Sequence, residues 1–431
     1  MNMKQFFYTV LLIASFLLSS CSDINKEKNV DLPDMSSLGL TRAHEEIAAS
    51  QMDFGVEIFK SLAEQKEMEN FLVSPFSLSL DLAMLASGAE GMTYQELVKG
   101  LGFEDYTAQQ LGEYYSAVIK NDCSDPYTTF KTANAAWINL GLSTNVKESY
   151  VKEVKTLYDA SVEAMDFRTN DMLSIINKWG SDNTEGLIKD ALSDRPDPSS
   201  LMLLTNALYF NGKWTNGMYF QPVNKPFTNL NGSVSNRVFF HCGNLFYSEY
   251  NTAWDNPEEP AMLTLSYGNG SFKMLIIVPP ADIRFDKFVG DLSASGIMTM
   301  LKQSRTSNDV FKANEMVNWY VPEFNTYADL KDREMIKALY NCGIKRIFGG
   351  GLSKISDNKD IAVNSVTQKA IIDVNREGTT AAAVTVITLG SGSYFHQYNR
   401  EYDFVVDRPF VYAIIDDFQS ILFMGMVTNL N

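Results

Sequence analysis

An α+β chain is predicted from three observations. Helical and strand-like runs both recur along the 431 residues, but they do not alternate strictly, so mixed sheets are expected rather than a parallel βαβ sheet. Hydrophobic residues make up 45% of the chain, enough for a large core. After residue 41 no Pro/Gly-rich stretch, charge run or repeat divides it, so residues 42–431 read as a single domain.

The elements follow in order. Residues 1–20 read as an export signal: Lys4 supplies the positive start, Phe6 to Leu18 is almost wholly apolar, and Leu18-Ser19-Ser20-Cys21 places small residues before a cysteine. The apolar run is short for a membrane span. The segment resembles a bacterial lipoprotein box. The resemblance implies diacylation of the Cys21 thiol, cleavage before it and acylation of the new amino group; several acyl chains together anchor stably. Ser22, where Asp would direct retention in the inner membrane, favours the outer one by the same resemblance. A cell-envelope lipoprotein facing the periplasm or the exterior is therefore expected. Residues 21–41, polar and carrying Pro33, read as a lipidated flexible tether.

From residue 45 to 71, Ile47, Phe54, Ile58 and Leu62 recur at helical spacing and predict a first amphipathic helix. Further helices are expected near 77–88, 93–100, 107–120, 145–158, 171–183 and 329–341. Strands are expected near 129–139, 202–210, 262–267, 272–279, 361–375, 403–414 and 420–427.

Charge and cysteine narrow the function. Without residues 1–20 the chain holds 35 basic and 52 acidic residues, a net of −17, which keeps an exported protein soluble and argues against nucleic acid. Cys123, Cys242 and Cys342 have no CxxC spacing and read as scattered core thiols. His44, His241 and His396 form no HExxH pattern, so no metal is expected. No GxSxG elbow, P-loop or GxGxxG is present, and Gly349-Gly350-Gly351 is a turn, because no Lys-Ser/Thr follows directly. Neither an enzyme nor a cofactor is expected.

The most informative stretch is Asp373 to Val386. It opens on alternating apolar residues and passes Gly378, and no charge appears from Thr379 to Tyr398. Its Val, Thr and Ile content is strand chemistry, while the polar tetrapeptide before it and Gly390-Ser391-Gly392-Ser393 after it are loop chemistry. A segment that is an exposed loop in one state and a central strand in another reconciles the two.

Several separate segments then show a resemblance to the serpin family, from about residue 45 to the end. Asn70-Phe71-Leu72-Val73-Ser74-Pro75-Phe76-Ser77 resembles the start of the family's second helix. Ile176-Asn177-Lys178-Trp179 through Thr184-Glu185-Gly186-Leu187-Ile188 resembles the helix crossing the main sheet. Thr205-Asn206-Ala207-Leu208-Tyr209-Phe210-Asn211-Gly212-Lys213-Trp214 resembles the strand near the sheet top. Asp407-Arg408-Pro409-Phe410 with Ile421-Leu422-Phe423-Met424-Gly425-Met426-Val427 resembles the C-terminal signature.

The resemblance implies three β-sheets, about nine helices and an exposed reactive-centre loop. It also implies a suicide-substrate inhibitor of serine, and in some members cysteine, endopeptidases. The protease cuts the loop and forms an acyl-enzyme; the freed loop inserts into the main sheet and traps the covalent complex. Arg376, Glu377, Gly378, Thr379, Thr380, Ala381, Ala382 and Ala383 would be the hinge, with Gly378 as its pivot. Alternate residues, namely Thr379, Ala381, Ala383, Thr385, Ile387 and Leu389, would face the core, and the first four are small. Ser74, Ser77, Asn206 and Gln368 match the polar cluster beneath the sheet; many members carry His at Gln368, but an amide both donates and accepts. Trp214 matches the tryptophan at the sheet top. Arg376 and Glu323 reverse a Glu–Lys pair of the family and suggest a charge-swapped ion pair at this breach.

The family's spacing of fourteen residues after the hinge glycine gives Gly392-Ser393 as the reactive bond; the long loop makes a cut after Tyr394 or Phe395 the alternative. Elastase-, chymotrypsin- or subtilisin-like targets fit these residues. A monomer is expected, touching membrane only through its lipid. A non-inhibitory serpin, acting as a binding protein or plain substrate, is the competing reading; the small uncharged hinge favours inhibition.

Overall fold

The computed structural model describes residues 42–120, 125–140, 146–186, 188–215, 220–243, 248–250, 258–358, 361–379 and 398–430. These residues build three β-sheets with helices packed around them, an α+β architecture.

The main sheet has six strands in the order β12 (Phe324–Leu330), β13 (Gln368–Asn375), β14 (Gly378–Thr379), β4 (Met202–Lys213), β2 (Thr128–Asn139) and β3 (Ala160–Met165). β4 and β2 pair antiparallel from Gly212↔Thr128 to Met202↔Ile138. β12 and β13 pair antiparallel from Phe324↔Val374 to Leu330↔Gln368. A second, seven-stranded sheet runs β1 (Phe71–Val73), β17 (Ile421–Val427), β16 (Phe410–Asp416), β9 (Phe272–Val278), β8 (Ala261–Tyr267), β7 (Ser248–Tyr250) and β10 (Arg305–Thr306). A third, four-stranded sheet runs β15 (Arg400–Val405), β11 (Glu315–Pro322), β6 (Val234–Gly243) and β5 (Gln221–Thr228).

Nine helices of seven residues or more lie among the described residues: α1 (Arg42–Gln65), α2 (Pro75–Gly88), α3 (Gly91–Gly100), α4 (Ala108–Lys120), α5 (Glu148–Leu157), α6 (Met172–Asn183), α7 (Phe285–Asp291), α8 (Ala294–Lys302) and α10 (Asp332–Asn341), with the short α9 (Ser307–Lys312) besides. α2 is apolar almost all round and is accordingly buried; Ser74 caps it, its hydroxyl accepting from the Ser77 N–H, and Pro75 occupies the first turn, where no N–H is missed. α6 lays Met172 and Ile176 on Trp137, Phe167, Leu192 and Leu203, a small core on the outer face of the main sheet.

Two expected strands are shorter or split. The run at 361–375 is a strand only from Gln368, because the Asp332 carboxylate captures the Ser365 hydroxyl and the Val366 N–H, both at 2.7 Å, and takes that backbone out of a ladder. The run at 403–414 divides into β15 and β16 of different sheets, broken at Asp407-Arg408-Pro409, where proline lacks a ladder donor. Cys342 is half-buried with a free thiol, pushed up to about 12 by burial. No group of three metal-ligating side chains occurs among the described residues.

Candidate functional site

β13 ends at Asn375, Arg376 and Glu377 form a turn, and Gly378 and Thr379 return as β14. The turn is closed by Asn375 Oδ1, which accepts from the Glu377 N–H at 2.8 Å. β14 then pairs antiparallel on both sides: Thr379 with Val374 and Gly378 with Asn375, and Thr379 with Gly212 and Gly378 with Lys213. It is a central strand two residues long. Among the described residues β13 and β4 share no ladder with each other; each meets β14.

Gly378 is required here by sterics. Its φ is +152°, and a Cβ would lie 2.0 Å from Gly212 O and 2.8 Å from Lys213 Cα. Gly212 is needed for a separate reason: a Cβ there would come within 2.7 Å of the Tyr267 ring.

Trp214 covers the top of this junction. Its indole N–H donates to Asn375 O at 2.9 Å, and its backbone N–H donates to Glu377 O at 3.2 Å. Its ring stacks on Tyr267 at 4.5 Å, and Phe210 meets Tyr267 edge-on at 5.0 Å. The Tyr267 hydroxyl lies 2.5 Å from Thr379 Oγ1, and both residues are wholly buried. Burial pushes the Tyr267 phenol well up, so it stays neutral. Nothing in the linear sequence joins Tyr267 to Thr379; the only signal was a strand-like run ending before Gly268-Asn269-Gly270. Arg376 is exposed and Glu323 half-buried in the link from β11 to β12; among the described residues they form no ion pair with each other.

The four polar residues expected beneath the sheet separate into two groups. Gln368 grips the backbone of Ser74 at both ends: its Oε1 accepts from the Ser74 N–H at 2.7 Å, and its Nε2 donates to Ser74 O at 2.9 Å. The Ser74 hydroxyl lies 3.0 Å from that of Ser77 and donates to Leu422 O at 2.7 Å. Asn206 stands apart: its Nδ2 donates to Asn134 Oδ1 at 2.5 Å and to Thr132 Oγ1 at 3.2 Å, both on β2, and its buried Oδ1 has no partner among the described residues. A buried amide oxygen without a donor is costly and marks a position where a donor is absent.

The remaining expected site residues lie outside the described ones: Thr380, Ala381, Ala382 and Ala383 of the hinge, the Gly392-Ser393 bond with its alternatives Tyr394 and Phe395, and Cys21.

Residues 49–430 match the model of the family described as Serpin (serine protease inhibitor). The chain is 30% identical to Iripin-3 of Ixodes ricinus over 397 residues, covering 90% of this chain and 95% of that protein. It is 31% identical to an uncharacterized serpin-like protein of Thermococcus kodakarensis, covering 87% and 84%. The crystal structure of the thermophilic serpin tengpin in its native state superposes with a TM-score of 0.77 at 24% identity, covering 91% of this chain and 95% of that one. The two-sided pairing of the short strand Gly378–Thr379, the aromatic lid at Trp214 and the match over residues 49–430 converge: the chain belongs to the serpin family, whose fold is that of protease inhibitors and not of enzymes.

Proposed function

We propose that this serpin is a suicide-substrate inhibitor of serine endopeptidases, and that it works by inserting its cut loop between β13 and β4. The observation that carries this is β14 itself, already paired on both sides at the top of the main sheet. Carried on in the same register, the loop would set Ala381 against Ile372 and Phe210, Ala383 against Ala370 and Leu208, and Thr385 against Gln368 and Asn206. Ile372, Phe210, Ala370 and Leu208 are buried, so this parity turns the small loop residues inward. The Thr385 hydroxyl would then reach Asn206 Oδ1, which has no partner among the described residues.

The driving force is adequate on elementary grounds. About a dozen new backbone hydrogen bonds at roughly 1 kcal/mol each, with apolar burial added, reach the order of ten kcal/mol. The uncut state is then held by kinetics rather than by being the most stable. The acyl-enzyme forms when the protease serine attacks the carbonyl of the residue before the cut and expels the amine of the residue after it. The reactive bond is proposed at Gly392-Ser393, with Tyr394 or Phe395 as the alternative, suiting elastase-, chymotrypsin- or subtilisin-like enzymes. The protein is proposed to act as a monomer, held to the outer membrane through a lipidated Cys21 and the tether to residue 41. Arg376 and Glu323 are proposed to pair when the hinge is expelled. Arg376→Glu should then promote polymerisation and Arg376→Glu with Glu323→Lys should recover; fully additive effects would argue otherwise.

The test is to mix the purified protein with elastase, chymotrypsin and subtilisin and run denaturing gels. An SDS-stable band at the summed mass is expected. The released C-terminal peptide should begin at Ser393, Phe395 or His396. Clean cutting by every protease, each remaining active, would instead favour the non-inhibitory reading.

A further inference from the structure

We infer that Tyr267 is the positioning residue that seats the hinge: its hydroxyl receives Thr379 and fixes Gly378 and Thr379 as a strand of the main sheet. The seat itself is independent of the protease reading, and only its effect on trapping rests on that reading.

Tyr267 ends β8 in the seven-stranded sheet, whereas Thr379 belongs to the six-stranded one. Their bond therefore ties the first inserted residues to a second sheet, in addition to their ladder. The tyrosine is also held by contacts that do not involve the hinge. Trp214 stacks on one side at 4.5 Å, Phe210 abuts it at 5.0 Å, and Gly212 supplies the clearance that a Cβ at 2.7 Å would abolish. The hydroxyl is thus presented at a fixed point inside the protein, 2.5 Å from Thr379 Oγ1, with both residues wholly buried. With the hinge withdrawn that hydroxyl loses its partner in a dry site, which is unfavourable. Position 379 is consequently read for a hydroxyl: serine would satisfy the seat, and valine, of almost the same shape, would leave Tyr267 unpaired. Two residues of ladder alone offer little against fraying; the side-chain bond supplies the missing hold.

The test uses the purified full chain as wild type, Tyr267→Phe, Thr379→Val, their double variant and Thr379→Ser. Amide hydrogen exchange over residues 375–380 is read by mass spectrometry. Exchange should rise about tenfold in each of the first two single variants and no further in the double, with Thr379→Ser close to wild type. A second readout is the partition between covalent complex and cut inhibitor with a protease that cleaves the loop; Tyr267→Phe and Thr379→Val should shift it equally toward the cut form. Unchanged exchange in both single variants, or a double variant equal to the two effects combined, would overturn the inference. Should Tyr267→Phe fail to fold, Thr379→Val against Thr379→Ser decides it alone. If the wild type traps no protease, the inhibitory reading falls, while the exchange measurement still decides the role of Tyr267.

Discussion

The β16–β17 hairpin and the β13–β14–β4 junction are both buried, yet they are built to opposite ends. Every residue of β16 and β17 is buried, the pair is antiparallel with one irregularity at Ile414/Ile415, and β9 and β1 continue the ladder outward. Its apolar runs leave few polar side chains to satisfy. The junction instead holds a two-residue strand, a glycine at positive φ in contact with Gly212, and a buried amide oxygen at Asn206 without a described partner. On the insertion mechanism proposed above, the hairpin has a single good arrangement and the junction has two. Stability and switching would then be separated in space, the hairpin supplying a rigid frame against which the junction changes.

Four substitutions or titrations probe that separation, from the largest effect down. Phe423→Ala should cost about 3–5 kcal/mol in denaturant unfolding, since Phe423 is 2% exposed, and should leave the partition between trapped and cut forms unmoved. Gly378→Val should weaken the seated hinge by about 2–4 kcal/mol, because its Cβ would sit on Gly212 O. Here the partition should move strongly to the cut form while the unfolding midpoint changes little.

The third probe is pH. Burial pushes the Asp416 carboxyl up to about 7. The folded protein then keeps a proton that the unfolded chain has released above about pH 4. Stability should fall as pH rises from about 4 to 7 and level off above, Asp416 contributing roughly 1–4 kcal/mol; Asp416→Asn should reduce that slope in pH-dependent unfolding, the buried Asp81 carboxyl, also raised to about 7, keeping the rest. Because Asp416 ends β16, the effect should appear in global stability and not in trapping. The smallest effect is expected for Gln368→Leu, about 1–3 kcal/mol, from the loss of both bonds to the Ser74 backbone.

What the sequence made legible follows the same division. The β8, β9 and β17 runs were readable because burial on both faces leaves near-continuous apolar segments, and β2 and β4 through their buried apolar stretches at 135–138 and 207–210. β5, β6 and β11 went unread, because polar residues interrupt all three and β5 also carries Pro222 and Pro226. β12 went unread although Phe324 to Leu330 alternates cleanly between buried and exposed, since it is short and opens directly after Val321-Pro322-Glu323. At the site, Gly378 stood out between strand and loop chemistry, while Trp214, Gln368 and Ser74 were recognisable through the resemblance to the family. Tyr267 was not, because its role depends on the meeting of two sheets 112 residues apart in sequence. The separation of Asn206 from Gln368 was equally hidden: it depends on which strand each amide faces, and one residue type fits both arrangements.

The proposed mechanism requires the loop after Gly378 to become a full strand between β13 and β4 once it is cut. The most direct test is the melting temperature of the protein before and after a single nick in the loop, with the fragments kept together. About ten kcal/mol of new strand predicts a rise of roughly 20 °C or more. An unchanged or lowered melting temperature after complete nicking would contradict insertion and leave β14 as a fixed two-residue strand.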